Sequence, residues 1–288
     1  MKDIKDKLFC ALQYLLPQHL LSRSLARLAD TEIRWLKNLL IRSFIRHYQV
    51  DQNDTECEDI GAYTSFNHFF TRALKPNVRP IADSVGAITS PADGTISQCG
   101  KIAQGNLLQA KGHVYSTADL VGDESLAAQF HDGEFFTIYL SPKDYHRVHS
   151  PIMGTLIESR YIPGRLFSVN SATTAQLPGL FARNERLVCV FESQQGPVVV
   201  VMVGAMLVAG IETIWQTKYL PNIPSEDKHI GAHIKFAKGE EIGRFKFGST
   251  VIVLLPNHTR VNHSLEPGTT VKMGENVAGY SADRSSNV

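Results

Sequence analysis

Residues 198–211 read VVVVMVGAMLVAGI, the longest apolar run in the chain. A helix that crosses a bilayer needs roughly 20 apolar residues, and this run is shorter. Valine dominates its first half, and Gly204 and Gly210 interrupt the second, so it reads as two buried strands joined by a bend. Phe135 to Leu140, Leu187 to Phe191 and Val251 to Leu255 have the same character. From Ser90 onward the chain is a succession of such short β-rich runs punctuated by Gly and Pro. With 288 residues and 43% hydrophobic content, it can bury the core of one large domain, or of one domain with an appendage. Neither internal repeats nor low-complexity segments interrupt it.

The first 50 residues differ in kind. Nine Lys/Arg stand there against four Asp/Glu, a net +5, which leaves −4 for the rest of a chain whose total is +1. The overall balance argues against nucleic acid as a partner, whereas a basic terminus on a mildly acidic body suits an anionic lipid surface. Projected as a helix, residues 3–16 place Ile4, Leu8, Phe9, Ala11, Leu12, Leu15 and Leu16 on one arc. Asp3, Asp6, Lys7 and Gln13 lie opposite, and only Lys5 intrudes on the apolar side. Pro17 interrupts this helix, and Asp30 or Thr31 is placed to cap a later one running to about Tyr48. That later helix, apolar nearly all round, fits a core-packed element and a membrane-surface element equally well. A secretory signal peptide fits poorly, because acids stand among the first lysines and no clear cleavage site follows the apolar stretch. The polar, acidic segment Asp51 to Asp59 reads as a linker. The expected architecture is therefore α+β: N-terminal amphipathic helices and linker over 1–58, then a β-rich body over 59–288. Four scattered cysteines, without a C-x-x-C pair, fit reduced thiols in a cytosolic compartment rather than a disulfide framework or zinc site.

Three segments of the body carry candidate chemistry. SPADGTIS at 90–97 contains Asp93-Gly94, a leading hairpin-turn dipeptide. LSPKDYHRVHSP at 140–151 holds His146 and His149 between two prolines. If that segment is an extended strand the two histidines face opposite sides, and a helical turn would bring them together. GRFKFGSTVIVLLP at 243–256 places Gly248-Ser249-Thr250 where an alternating pattern meets a continuous apolar one. A β-bulge is the plain reading of that glycine. No metal site is evident: HIGAH at 229–233 lacks the glutamate of H-E-x-x-H, and no third ligand accompanies the two histidines. Asp93, one of the histidines and Ser249 supply the parts of an Asp-His-Ser relay, in which imidazole removes the hydroxyl proton and carboxylate fixes the tautomer. No G-x-S-x-G elbow exists, which weakens an α/β-hydrolase reading. The glycine before Ser249 offers another target, the Gly248 carbonyl, where the absent side chain permits the strained geometry of an N-to-O acyl shift.

Five blocks, in order, resemble the phosphatidylserine decarboxylases, pyruvoyl-dependent enzymes that make phosphatidylethanolamine. They are FNHFFTRALKPNVRP at 66–80, SPADGTIS at 90–97, QAKGHVYSTADLVGD at 109–123, YLSPKDYHRVHSP at 139–151 and GRFKFGSTVIVL at 243–254. The family usually has leucine where Phe247 stands. The resemblance implies that Asp93, His149 and Ser249 form a self-processing triad that cleaves between Gly248 and Ser249. The ester formed by the acyl shift would undergo β-elimination, and the dehydroalanine would hydrolyse to a pyruvoyl group derived from Ser249. A large and a small chain result. The substrate amine would form a Schiff base with the pyruvoyl ketone, which accepts the electrons released with CO₂. His146 would then return a proton to the former α-carbon. The family further implies a homodimer held peripherally on the cytoplasmic side of the cell membrane, with phosphatidylserine as substrate. Three readings compete: a serine hydrolase using the same triad, a pyruvoyl decarboxylase of a soluble amino acid, and a lipid-binding protein without catalysis.

Overall fold

The computed structural model describes residues 2–206, 210–216, 219, 223–228, 234–246 and 249–280. Among them, a nine-stranded sheet organises the body. In spatial order its strands are Ser225–Lys228, Gly154–Ile162, Arg186–Ser193, Gly196–Val203, Ser249–Leu255, Glu134–Leu140, Gly94–Lys101 and Thr270–Val271, and Ile234–Phe236 also pairs with Gly154–Ile162. Each of these pairings is antiparallel. The continuous apolar runs follow from two-sided burial, since successive side chains of a strand point to opposite faces. Val251, Val253 and Leu255 enter one core with Ile138, Val200 and Met202. Ile252 and Leu254 enter the other with Phe135, Val199 and Val201. A strand with one solvated face would have alternated instead.

The 198–211 run splits as its composition predicts. Gly196–Val203 stays in the main sheet, and Ile211–Thr213 joins Glu241–Phe245 and Arg147–His149 in a second, three-stranded sheet. The hairpin reading of Asp93-Gly94 fails. Residues 90–93 instead carry the chain from Ala87–Thr89, in a third sheet, to Gly94–Lys101 in the main one. Gly94 is required there by close approach: a Cβ would lie 2.5 Å from the Tyr139 carbonyl oxygen and 2.7 Å from Ile138 Cγ2.

The N-terminus forms three helices: α1 (Lys2–Leu15), α2 (Gln18–Ala29) and α3 (Arg34–Tyr48). Pro17 ends α1 as expected, but the amphipathic α2 directly after it was not anticipated. The expected cap at Asp30 or Thr31 does not form. Helix α3 begins at Arg34 behind Ile33, with no side-chain cap, while Asp30 closes α2 and accepts from Asn67 Nδ2 at 2.6 Å. Gln13 and Gln18 attach the α1–α2 corner to the body by polar contacts. Gln13 Oε1 accepts from Ser168 N at 2.8 Å, and Gln18 Oε1 accepts from Leu166 N at 2.9 Å. The apolar arc of α1 consequently faces outward, with Ile4 70% and Leu15 80% exposed. Helix α3 is a core element on one side, where Ile41 and Phe44 pack with Phe66, Phe69 and Phe70 of the short helix α4 (Phe66–Phe70). Its Trp35 and Leu39 are exposed. Among the described residues, no helix is long and apolar enough to cross a membrane.

Substituting Gly94→Ala is expected to destabilise the fold by about 1–3 kcal/mol, since the added methyl meets backbone on a central strand. Urea unfolding followed by circular dichroism measures it; an unchanged midpoint would show that the neighbouring strand yields at no cost.

Candidate active site

The segment 140–151 is extended where it matters. Ser141 begins a turn held by Asp144, whose Oδ2 accepts from Ser141 N at 2.7 Å and Ser141 Oγ at 2.8 Å, and Arg147–His149 then forms a strand. The two histidines accordingly occupy different surroundings. His146 is fully buried and stacks on Phe70, with centroids 4.1 Å apart. Neither of its ring nitrogens has a hydrogen-bond partner. Burial, reinforced by the Arg72 guanidinium, lowers its pKa to about 3, and the nearby backbone of Pro142 and Ser141 opposes this only weakly. His149 stacks on Tyr145, and its two nitrogens are both engaged. Nδ1 donates to the Gly239 carbonyl at 2.8 Å, and Nε2 accepts from the Tyr145 hydroxyl at 3.0 Å. Its pKa too is lowered by burial, against the pull of the Gly239 carbonyl.

Ser249 opens the central strand, paired opposite Leu140, and is fully buried with no hydrogen-bond partner for its Oγ. Phe247 and Gly248 lie outside the described residues, as does the HIGAH segment at 229–233. Asp93 is held by Arg79, whose Nε lies 3.0 Å from Oδ1 and whose Nη2 lies 2.6 Å from Oδ2; Oδ1 also accepts from Met273 N at 2.8 Å. Arg79 in turn reaches Asp54 at 2.8 Å. The 90–93 segment abuts the histidine strand through His149 N donating to the Pro91 carbonyl at 2.8 Å. In this state Asp93 and His149 are each held by other partners, and Ser249 Oγ has none among the described residues. No hydrogen bond joins one to another.

Arg79, Arg72, Tyr145 and Phe70 were missed as members of this neighbourhood. Arg72, Phe70 and Arg79 lie inside the 66–80 block and Tyr145 beside His146, so their signal was the block match itself, without a motif to give each a role. What the arrangement offers chemically is a buried cluster of imidazole and hydroxyl groups, several without hydrogen-bond partners among the described residues. Such groups are costly to bury unless something else comes to meet them.

The fold and site together define an α+β protein with a buried serine–histidine centre at the head of a sheet's middle strand. A family model described as "Phosphatidylserine decarboxylase" matches residues 66–279, and another described as "PSD" matches residues 8–49. A relative from Pseudomonas aeruginosa (strain LESB58), named "Phosphatidylserine decarboxylase proenzyme", is 52% identical over 285 residues, covering 96% of this chain and 98% of the relative. Relatives of the same name from Pseudomonas entomophila (strain L48) and Ectopseudomonas mendocina (strain ymp) are 52% and 51% identical, covering 96% and 94% of this chain and 98% of each relative. The chain belongs to the phosphatidylserine decarboxylase family of carboxy-lyases.

Because His146 is neutral in the fold but titrates near its ordinary value of 6.5 when unfolded, falling pH favours the unfolded chain from about 6.5 down to about 3. The loss attributable to this one group is about 1.4 kcal/mol per pH unit. Denaturation midpoints between pH 6.5 and 5 are expected to fall more steeply for wild type than for His146→Phe. Parallel slopes would show that the imidazole is solvated or already protonated.

Proposed function

We propose that the chain decarboxylates phosphatidylserine to phosphatidylethanolamine, after cutting itself between Gly248 and Ser249 to build its own pyruvoyl group. The observation that carries this reading is Ser249, a fully buried hydroxyl with no partner, placed directly after a glycine at the start of the central strand. A purely structural serine there would be expected to hydrogen-bond. The relatives' name, proenzyme, agrees with it. His149 is the base: its Nδ1–H is fixed by the Gly239 carbonyl, which leaves the Nε2 lone pair available once the Tyr145 hydroxyl gives way. Asp93 supplies a carboxylate at the same junction, to orient and charge-balance the imidazole when it takes the proton. Ser249 Oγ attacks the Gly248 carbonyl, the amide becomes an ester, and elimination then frees the new carboxyl terminus.

The residues fit a pyruvoyl group at position 249, where an unpartnered buried site faces no carboxylate of its own. That group supplies a ketone that condenses with the substrate amine and accepts the electron pair CO₂ leaves behind. His146, also buried and without a hydrogen-bond partner for its ring nitrogens among the described residues, would return the proton to the α-carbon. Cleavage would not release the small chain, because Ser249–Leu255 is hydrogen-bonded on both sides, Thr270–Val271 pairs with Gly94–Lys101 and Asn276–Tyr280 pairs with Ala87–Thr89.

The lipid part of the reading rests on residues 1–58. Outward-facing Ile4, Leu8, Leu12, Leu15 and Leu20 lie among exposed Lys5, Lys7, Arg23 and Arg27, which suits peripheral attachment to an anionic surface on the cytoplasmic side. A mainly apolar cavity of about 320 Å³ between α2, α3 and α4, with Lys246 at its wall, lies two residues before the Gly248–Ser249 seam and suits an acyl chain. A homodimer belongs to the same reading on family grounds, and sedimentation equilibrium tests it.

Purified wild type is expected as two co-migrating fragments, 1–248 and 249–288, that separate only in denaturant. Ser249→Ala and His149→Ala should each remain one chain of 31.9 kDa. His146→Ala should cleave normally yet lose on the order of 10²- to 10⁴-fold in turnover. Intact mass and vesicle assays decide; an active but uncleaved wild type contradicts the proposal.

Removing residues 1–16 is expected to weaken co-sedimentation with anionic vesicles strongly while leaving self-cleavage intact. Salt should reverse wild-type binding only in part, because it screens charge but not apolar insertion. Undiminished binding of the truncated protein would place the docking surface elsewhere.

A further inference from the structure

Arg72 is a buried cation without a counter-charge. Its side chain follows α4 into the body and is only 3% exposed. Nη2 donates to the carbonyls of Lys143 and Asp144, at 3.1 and 3.4 Å, and the guanidinium lies over the Phe69 ring at 5.3 Å. Nε and Nη1 have no hydrogen-bond partner. Among the described residues no carboxylate lies within ion-pair distance of it, although Asp144, Asp93, Tyr63 and Tyr145 contribute to its field. A buried guanidinium with two idle N–H groups is expensive unless an anion meets it. It stands beside His146, whose ring nitrogens are likewise idle, around the same 140–146 turn that faces the start of the Ser249 strand.

We infer that Arg72 binds the phosphodiester of the substrate headgroup through an N–H that has no partner in the fold. This rests on the proposed decarboxylation of phosphatidylserine, a substrate that carries two anions, a carboxylate and a phosphodiester. The carboxylate is the wrong partner: its charge leaves it as CO₂ departs, so a guanidinium holding it would stabilise the ground state more than the transition state. The phosphodiester keeps its charge throughout and offers acceptor oxygens to the unpartnered N–H groups. Its arrival has a second effect. Arg72 helps to keep His146 unprotonated, and an anion that neutralises Arg72 makes it easier for the imidazole to carry the proton it must donate.

The test uses the mature enzyme with short-chain, monomeric phosphatidylserine, so that membrane binding does not enter, and two probes. Glycerophosphoethanolamine has the phosphodiester without the carboxylate, and N-acetylserine the carboxylate without phosphate. Arg72→Gln is expected to cleave itself, to raise KM on the order of 10- to 100-fold, as for loss of a charged hydrogen-bonding partner, and to weaken glycerophosphoethanolamine binding by a similar factor. N-acetylserine binding should be unchanged. Equal glycerophosphoethanolamine binding by variant and wild type overturns the inference, as does a selective loss of N-acetylserine binding. If Arg72→Gln fails to fold, Arg72→Lys retains the buried charge but not the fork, and the same comparison is read on it. Probe binding is measured by calorimetry, without turnover, so a wild type that binds glycerophosphoethanolamine through Arg72 but leaves phosphatidylserine intact would refute the functional reading alone.

Discussion

Burial of the strand Ser249–Leu255 on both faces and both edges is the constraint on which the rest depends. Every residue of it is buried, and it exchanges hydrogen bonds with Glu134–Leu140 on one side and Gly196–Val203 on the other. Its first residue, Ser249, is fully buried, and among the described residues its hydroxyl has no hydrogen-bond partner. The same pairing fixes the residue in space whether or not the peptide bond before it survives. In the proposed reading, the site of scission would thus coincide with the firmly paired head of this strand. This is intelligible: a fragment that must remain as part of an enzyme has to be held by backbone bonds and packing that do not involve the broken bond.

Dryness also sets the electrostatics. Desolvation holds His146 and His149 neutral and leaves Arg72 charged and underpaired. The two imidazoles are distinguished by neighbours rather than by type. Gly239 and Tyr145 fix one tautomer of His149, whereas His146 stacks on the Phe70 ring with no hydrogen-bond partner for its nitrogens among the described residues. An imidazole with a defined lone pair suits proton abstraction, and one that is unpartnered and stacked suits a partner yet to arrive. Asp93 is meanwhile retained by Arg79, a bidentate grip that holds its carboxylate in place.

The N-terminal helices invert the usual arrangement of a globular protein. Helices α1 and α2 are attached to the body through glutamines, Gln13 and Gln18, whose amides satisfy backbone groups at 166–168. Their leucines face out. A polar seam of this kind is specific in register and leaves apolar area free, so the hydrophobic effect that would normally have packed α1 inward is available for a surface outside the molecule.

Runs such as 135–140, 187–191 and 251–255 were legible as buried strands because a two-sided core demands apolar residues at every position, a one-dimensional pattern. The amphipathic first helix, its stop at Pro17 and the order of the family's blocks were legible for the same reason, being local or linear. The start of α3 was not, since Asp30 went to Asn67, far along the chain, rather than to a helix N-terminus. Nor was the role of Gly94, which answers to Tyr139 on a neighbouring strand and not to a turn. Sequence alone singled out Asp93, His146, His149 and Ser249 by residue type and family resemblance. Only the tertiary structure decided that the two histidines see different neighbours, that Arg79 holds Asp93, and that Arg72 is buried without a counter-ion. Partnership and solvation are properties of residues brought together from distant parts of the chain, and no local pattern encodes them.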